Sequence, residues 1–180
     1  MKKILLLAGS NSNNSINHKL ICFAATFMPT QNTEIIKLTD FELPIFGEDI
    51  EREKGYSENL KLLYTKIKLA DALIISVNEH NGTVSAFFKN IIDWLSRLDR
   101  NFLDGKKVLL MSTSIGRRGA ASALEYTKNV LPRFGAIIVE SFSIPSFTEN
   151  FSEESQSISN EIILLGFTDV LQNFAHQIEP

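Results

Sequence analysis

Five short segments of the chain are rich in apolar residues and are separated by longer polar or mixed stretches. The first of them is a continuous apolar run that ends at Gly9, which is typical of a strand buried on both faces. Each of the others is also followed by residues that favour turns or by a polar stretch. The pattern predicts strands at residues 4–8, 34–38, 72–77, 107–112 and 136–139.

Between and after these strands, apolar residues recur three or four positions apart, which is the spacing of one helix face. The first such stripe stops before Pro29, a residue that helices avoid in their interior. A loop rich in turn residues (Pro44, Gly47, Asp49 and Gly55) is predicted before the second helix, and a serine-rich connector is expected after residue 139. Helices are predicted along stripes from Ile16 to Phe27, from Leu60 to Ile67, from Phe87 to Leu98, from Leu124 to Leu131 and from Ile163 to Phe174.

Strands that alternate with helices predict an α/β fold in which a parallel sheet carries helices on both faces. The length of 180 residues favours one domain over residues 1–180. Both common strand orders of doubly wound sheets fit this pattern. In either order ligands bind at the carboxyl ends of the strands, so chemistry is expected in the loops after the first, third and fourth strands.

Composition narrows the range of partners. The chain has 18 basic and 21 acidic residues and a formal net charge of −3, so it has no global positive field to attract nucleic acid or an anionic membrane. No apolar run approaches the roughly 18 residues of a membrane-spanning helix. Cys22 is the single cysteine, which excludes an intrachain disulfide and favours the cytoplasm. Its place in a predicted helix indicates a packed side chain.

The first of the three loops, residues 9–17, consists mainly of small hydroxyl and amide residues and leads into a predicted helix. A helix N-terminus offers free N–H groups and partial positive charge, and Ser10, Ser12 and Ser15 add donors, so the loop suits a phosphate group. Alternatively, a residue such as Ser15 simply caps the helix. The Walker and dinucleotide-binding fingerprints are both missing, which argues against an ATPase or a Rossmann dehydrogenase.

The second and third loops also join polar side chains to the start of a helix. The second, residues 78–83, supplies donors, acceptors and a planar ring, and the third, residues 112–119, couples hydroxyl groups with glycines and with Arg117 and Arg118. Arginines can bind phosphate, so one interpretation is a second anion contact here. The alternative is that both loops are polar turns that cap helices and that the two arginines are only solvated.

Other kinds of site find little support in the sequence. His18, His80 and His176 are scattered, with no His-Glu-x-x-His motif or cysteine pair beside them, so no metal site is predicted. No Gly-x-Ser-x-Gly motif occurs, which disfavours a serine hydrolase. Serine and asparagine stand where a receiver domain has an acidic cluster, so phosphoacceptor signalling is also disfavoured.

The three loops and the helix after the second loop resemble the NADPH-dependent FMN reductases, a family that includes quinone, azo-dye and chromate reductases. The resemblance spans roughly residues 3–140 and implies a flavodoxin-like three-layer sandwich with a five-stranded parallel sheet of order 2-1-3-4-5. It is carried by Gly9-Ser10, Ser15-Ile16-Asn17, Glu79-His80-Asn81-Gly82, Phe88-Lys89-Asn90-Ile91-Ile92-Asp93-Trp94-Leu95, Ser112-Thr113-Ser114, Gly116 and Gly119.

The resemblance also implies roles for individual residues. The residues implied to surround the FMN phosphate are Ser10, Ser12, Ser15, Ile16 and Asn17. Those implied to border the isoalloxazine ring are Asn78, Glu79, His80 and Asn81 on one edge and Ser114, Ile115 and Gly116 on the other. Those implied to fix the second loop from the helix behind it are Lys89, Asn90, Asp93 and Trp94.

The chain departs from the family pattern at several loop positions. The family often has arginine, proline, tyrosine, proline and glycine where this chain has Ser12, Asn78, His80, Ile115 and Arg117. Without the arginine charge, phosphate affinity is expected to fall. The imidazole of His80 keeps a planar ring that can stack in place of the phenol ring of tyrosine.

These observations lead to one hypothesis and two alternatives. The hypothesis is an FMN-dependent NAD(P)H oxidoreductase in which the flavin carries the chemistry and a small-molecule acceptor, such as a flavin or quinone, receives the electrons in a ping-pong order. The resemblance implies a homodimer or homotetramer. The alternatives are a flavodoxin-like electron carrier and a flavodoxin-like binding module without a cofactor.

Overall fold

The computed structural model describes residues 1–28 and 31–179. Its strands are β1 (Lys3–Ala8), β2 (Asn32–Lys37), β3 (Ala72–Val77), β4 (Glu79–His80), β5 (Thr83–Val84), β6 (Lys107–Thr113), β7 (Ile137–Ile144), β8 (Phe151–Ser152) and β9 (Ser157–Ile158). Five of these strands form a parallel sheet in the order β2-β1-β3-β6-β7, while β4–β5 and β8–β9 are separate antiparallel ribbons. Numbered among themselves, the sheet strands run 2-1-3-4-5, so the flavodoxin-like fold is confirmed.

Helices cover both faces of the sheet. They are α1 (Ile16–Ala25), α2 (Glu48–Lys54), α3 (Glu58–Leu69), α4 (Ala86–Leu98), α5 (Ala121–Val130), α6 (Phe147–Asn150) and α7 (Glu161–Ile178), with 3₁₀ turns at Leu38–Asp40 and Leu131–Phe134. Among the helices of the described residues, none is long and apolar enough to cross a membrane.

Strand β1 shows how the sheet acquires a core on each face. Leu5 and Leu7 belong to one buried cluster, which also holds residues of α3, α4 and α5. Ile4 and Leu6 belong to a second cluster with residues of α1 and α7, because successive side chains of a strand point to opposite faces. Burial on both faces explains why the central strands are continuous apolar runs in the sequence.

The register of the sheet aligns the carboxyl ends of its central strands. Ala8 is paired with Ser76 and Val77 with Ser112, so the loops after β1, β3 and β6 leave the sheet at the same edge. Strand β2 ends there too, because Lys37 is paired with Ala8. This edge carries all three loops that the sequence singles out.

Two segments without predicted regular structure contain helices. Helix α2 lies inside the predicted loop, between Gly47 and Gly55, and buries none of its residues, so it leaves no apolar stripe in the sequence. Strand β7 extends to Ile144, and the connector after it contains α6 and the β8–β9 ribbon. Phe147 and Phe151 stack with their ring centroids 4.5 Å apart and anchor the connector in the second buried cluster.

Cys22 is not packed, and that prediction is wrong. Helix α1 buries Asn17, Leu20, Ile21 and Ala24, while Cys22 is exposed. Partial desolvation raises the pKa of the thiol, against a smaller opposite effect of the Lys37 charge. Cys22 therefore lacks the lowered pKa of a reactive thiolate.

Candidate functional site

The loops after β1, β3 and β6 line a cavity of about 220 Å³ that opens to solvent at the carboxyl edge of the sheet. Nine of the twelve predicted site residues line it, namely Ser10, Ser12, Ser15, Ile16, Asn17, Asn78, Glu79, Ser114 and Ile115. Asn14 and Thr113 also line it, although neither is among the predicted residues. The three remaining predictions, His80, Asn81 and Gly116, lie outside this lining.

The first loop ends as a helix cap but has more donors than a cap uses. Ser15 is the N-cap of α1, and its Oγ accepts from the His18 N–H at 3.1 Å. Ser10 Oγ accepts from the Ser12 N–H at 3.2 Å, and Ser12 Oγ from the Asn14 N–H at 3.3 Å. These bonds engage the oxygens of both hydroxyls as acceptors, and their O–H groups remain able to donate to an anion. The capping alternative thus explains Ser15 only.

Asn17 is buried, with 2% of its surface exposed, and clamps two strand ends together. Its Oδ1 accepts from Ser76 Oγ at 2.7 Å and from the Thr113 N–H at 3.2 Å. Its Nδ2 donates to the Thr113 carbonyl at 3.2 Å. The amide is engaged with β3 and β6, which leaves the backbone N–H of Asn17, in the first turn of α1, for contact with a ligand.

Asn78 brings an unsatisfied acceptor to the cavity lining. Its Oδ1 is buried and has no hydrogen-bond partner among the described residues. Its Nδ2 lies 3.3 Å from His80 Nε2. A buried carbonyl oxygen without a donor is costly, about 1–3 kcal/mol, so this position suits a ligand that brings a hydroxyl or N–H donor.

Glu79 lines the cavity, but its carboxylate points to helix α5. Glu79 Oε2 accepts from the Ser122 N–H at 3.0 Å and from the Ala123 N–H at 3.2 Å. The N-cap residue itself, Ala120, has a positive φ of 63° and makes no side-chain cap bond. Glu79 therefore caps α5 from another loop, and its negative charge is favourable at a helix N-terminus. This contact joins the second loop to the third.

The third loop is held by the carbonyl of Gly119 and leaves its tip exposed. The Gly119 carbonyl accepts from Ser112 Oγ at 2.7 Å and from Ser143 Oγ at 2.8 Å. Ser114 Oγ accepts from the Gly116 N–H at 3.3 Å, and Ile115 is 75% exposed. Gly116 thus fixes Ser114, which does line the cavity.

A second and larger cavity lies beside the β4–β5 hairpin. Asn81 and Gly82 form the hairpin turn with φ values of 52° and 81°, as an Asn-Gly pair favours. The cavity has a volume of about 420 Å³ and is lined by His80, Asn81, Thr83, Val84, Ala86, Lys89 and Tyr126. Two predicted site residues, His80 and Asn81, are therefore on this side of the hairpin.

Asn90 and Trp94 hold a different loop from the one implied by the resemblance. Asn90 Oδ1 accepts from the Phe46 N–H at 2.7 Å, and Asn90 Nδ2 donates to the Pro44 carbonyl at 3.0 Å. Trp94 Nε1 donates to the same carbonyl at 2.7 Å. Lys89 and Asp93 pair with each other on the helix surface. The fixed segment is the loop before α2, so the expectation that these residues hold residues 78–83 is corrected.

A third, small cavity of about 40 Å³ adjoins the first loop on the side of β2. It is lined by Ala8, Ser10, Ser12, Asn13, Ser15, His18, Lys37, Leu38 and Thr39. Burial lowers the pKa of His18, and the neighbouring Lys37 charge lowers it further. Lys37 is not among the predicted site residues, although the place of β2 next to β1 puts its end beside the first loop.

Within residues 1–28 and 31–179, no group of three or more His, Cys, Asp or Glu side chains is placed to hold a metal ion. The cavity lining is rich in hydroxyl and amide groups. That composition suits a ligand with a phosphate and several hydroxyl groups.

Comparison with known proteins identifies the family. The profile of the family described as NADPH-dependent FMN reductase matches residues 2–149. The quinone reductase of Escherichia coli K12 is 29% identical over 138 residues, which are 76% of this chain and 73% of that protein. An NAD(P)H-dependent FMN reductase of Pseudomonas aeruginosa is 29% identical over 72% of this chain and 69% of that protein. An uncharacterised Mycoplasma pneumoniae protein is 41% identical, but the match spans 53% of this chain and only 55% of that protein.

Solved structures agree with this assignment. The flavoenzyme NAD(P)H:(acceptor) oxidoreductase FerB of Paracoccus denitrificans superimposes with a TM-score of 0.80 at 26% sequence identity, covering 99% of this chain and 97% of that one. An NADH:FMN oxidoreductase in its apo form has a TM-score of 0.72 at 19% identity, covering 99% of this chain and 91% of that one, and supports the fold. The chain therefore belongs to the NADPH-dependent FMN reductase family, whose members are oxidoreductases that use FMN and NAD(P)H.

Proposed function

We propose that this protein binds FMN in the cavity between the three loops, oxidises NAD(P)H there and passes the electrons to a small-molecule acceptor such as a quinone or a free flavin. The observation that carries the proposal is the convergence of the first loop, the buried Asn78 oxygen and the third loop on one cavity. When bound, FMN supplies the redox chemistry, because it accepts a hydride and returns two electrons. The protein has to hold, orient and shield it.

The lining suits FMN at both of its polar ends. A phosphate is favoured at the start of α1, where the N–H groups of Ile16 and Asn17 have no partner among the described residues and the hydroxyls of Ser10 and Ser12 can donate. Asn78 Oδ1 has no donor among the described residues, and FMN offers ribityl hydroxyls and a ring N–H. The cavity is open to solvent, which leaves room for the remainder of the cofactor.

Protein groups around the cavity position one another rather than exchange protons. Glu79 caps α5 and thereby ties the second loop to the third. Asn17 ties the first loop to the ends of β3 and β6. A rigid arrangement of N–H and hydroxyl donors stabilises negative charge at low reorganisation cost, so no side chain is assigned the role of acid or base.

We infer that NAD(P)H and the acceptor enter in turn through the larger cavity beside His80. Use of one open face by both reactants implies a ping-pong order. We infer that a second copy of the chain walls part of this face, in a homodimer or homotetramer. An electron carrier remains the alternative, and it would turn over only with a partner reductase.

The first prediction concerns cofactor binding and turnover. Titration of the stripped protein with FMN, followed by quenching of flavin fluorescence, is expected to saturate at one FMN per chain, and excess FMN is expected to raise the midpoint of thermal unfolding. With NADPH and 1,4-benzoquinone, initial rates at varied concentrations of both are expected to give parallel double-reciprocal lines. Absence of saturable FMN binding contradicts the proposal, and NADPH oxidation only with an added reductase favours the carrier.

The second prediction concerns the choice between NADPH and NADH. Arg117 is exposed on the third loop, and we expect it to contact the 2′-phosphate that only NADPH carries. Arg117→Gln is expected to lower kcat/KM for NADPH by about threefold to tenfold, the range of one exposed charge-assisted contact, with little change for NADH. Arg118→Gln is the matched control, because Arg118 donates to Ser122 Oγ at 3.0 Å. Equal losses with both nucleotides would remove Arg117 from this role.

A further inference from the structure

The phosphate loop carries no cationic side chain of its own. Ser10, Ser12 and Ser15 offer neutral hydroxyl groups, and the N-terminus of α1 contributes the equivalent of roughly half a positive charge. A phosphomonoester carries about −1.5 to −2 charges at neutral pH. The loop alone thus leaves most of the phosphate charge unbalanced.

One cation on a neighbouring element adjoins this loop. Lys37 is the last residue of β2, pairs with Ala8 across the sheet and lines the small cavity together with Ser10, Ser12 and Ser15. Those three serines also line the larger cavity between the loops. Both cavities therefore border the serine loop, so a phosphate bound at this loop lies next to the cavity that Lys37 lines.

Lys37 differs from most of the other lysines in having no protein partner among the described residues. In that part of the chain, every lysine except Lys37 and Lys54 has a carboxylate within 4 Å or donates to a backbone carbonyl. The lining of the small cavity contains no carboxylate. Lys37 is thus left without a counter-charge in the lining of a cavity that it shares with a loop suited to an anion.

His18 is a second side chain beside Lys37 that could carry a positive charge. His18 lines the same cavity, and burial, followed by the charge of Lys37, lowers its pKa. Since the usual pKa of histidine is already below 7, the ring is neutral at physiological pH. Lys37 consequently supplies the full positive charge in this cavity, and His18 adds hydrogen-bonding capacity.

We propose that Lys37 is a binding residue for the phosphate of FMN, which it holds from the side of β2, and that it makes the site select FMN over riboflavin. This inference rests on the proposed function. The positive charge that balances the phosphate then comes from a residue of the neighbouring strand rather than from the serine loop.

The test compares two flavins that differ only in the phosphate. Stripped wild-type protein, Lys37→Met, Lys37→Arg and the control Lys54→Met are titrated with FMN and with riboflavin. Lys37→Met is expected to raise the FMN dissociation constant about fivefold to tenfold and to leave riboflavin binding within about twofold. Lys37→Arg keeps the charge and is expected to stay near wild type, as is Lys54→Met.

Salt dependence gives a second readout that does not depend on the stability of the variants. Exposed charge contacts weaken with ionic strength, so wild-type affinity for FMN is expected to fall more steeply with added NaCl than that of Lys37→Met. The inference is overturned if Lys37→Met leaves FMN binding unchanged or weakens both flavins equally, while FMN binding by the wild type would still support the proposed function. Failure of the wild type to bind FMN overturns both.

Discussion

Replacing Asn17 with leucine is expected to lower the free energy of unfolding by about 3 kcal/mol and to weaken FMN binding at the same time. The leucine removes three hydrogen bonds, to Ser76 Oγ and to the N–H and carbonyl of Thr113. All of these groups are buried, and each buried group that loses its partner costs about 1–3 kcal/mol. The ends of β3 and β6 also lose their common clamp, so the first and third loops no longer keep their spacing.

Urea unfolding with and without FMN measures both effects of Asn17→Leu. Ser76→Ala is a matched variant, because it removes one bond and leaves Asn17 its two bonds to Thr113. Its expected cost is about 1 kcal/mol. Asn129→Leu controls for the residue change, since Asn129 is exposed and bonds only within α5. Equal stability of Asn17→Leu and Asn129→Leu would show that the clamp is unimportant.

The sequence predicts the sheet well because its central strands are buried on both faces and are therefore apolar throughout. It predicts the carboxyl-terminal half of β7 and the helix α2 poorly, because these segments are not buried on both faces. The later half of β7 contains Glu140, Ser141 and Ser143 on a half-exposed edge strand, and α2 buries no residue. Neither segment is a continuous apolar run, because neither faces a core on two sides.

The site is predictable in place but not in the direction of each side chain. The strand order puts the three loops at one edge of the sheet, and the family resemblance identifies most of the residues that line the cavity there. Asn17 and Glu79 turn instead to Thr113 and to the start of α5, contacts that depend on distances between segments far apart in the sequence. Lys37 can be identified as a residue near the site once the strand order is known, because β2 then ends beside the first loop.

Replacing Gly119 with alanine is expected to destabilise the protein by about 2–4 kcal/mol and to displace the third loop. Gly119 has φ of 56°, and a Cβ there would overlap Ser143 Oγ and lie 2.8 Å from the Ile144 carbonyl oxygen. A left-handed conformation costs a non-glycine residue about 1 kcal/mol or more. Overpacking adds about 1–3 kcal/mol. Because the Gly119 carbonyl receives bonds from Ser112 and Ser143, relief of the overlap must move the loop that carries Ser114.

Gly105→Ala separates the two contributions. Gly105 has a similar φ of 67°, but no atom lies within 4 Å of the point that an alanine methyl group would occupy, so its alanine variant is expected to lose only the backbone part. Adding Ser143→Ala to Gly119→Ala is expected to restore part of the stability, since the Ile144 backbone still blocks the methyl group. Thermal unfolding gives the stabilities, and FMN titration reports the loop. If Gly119→Ala and Gly105→Ala were equally stable and bound FMN equally well, the close contact between Gly119 and β7 would have no part in shaping the site.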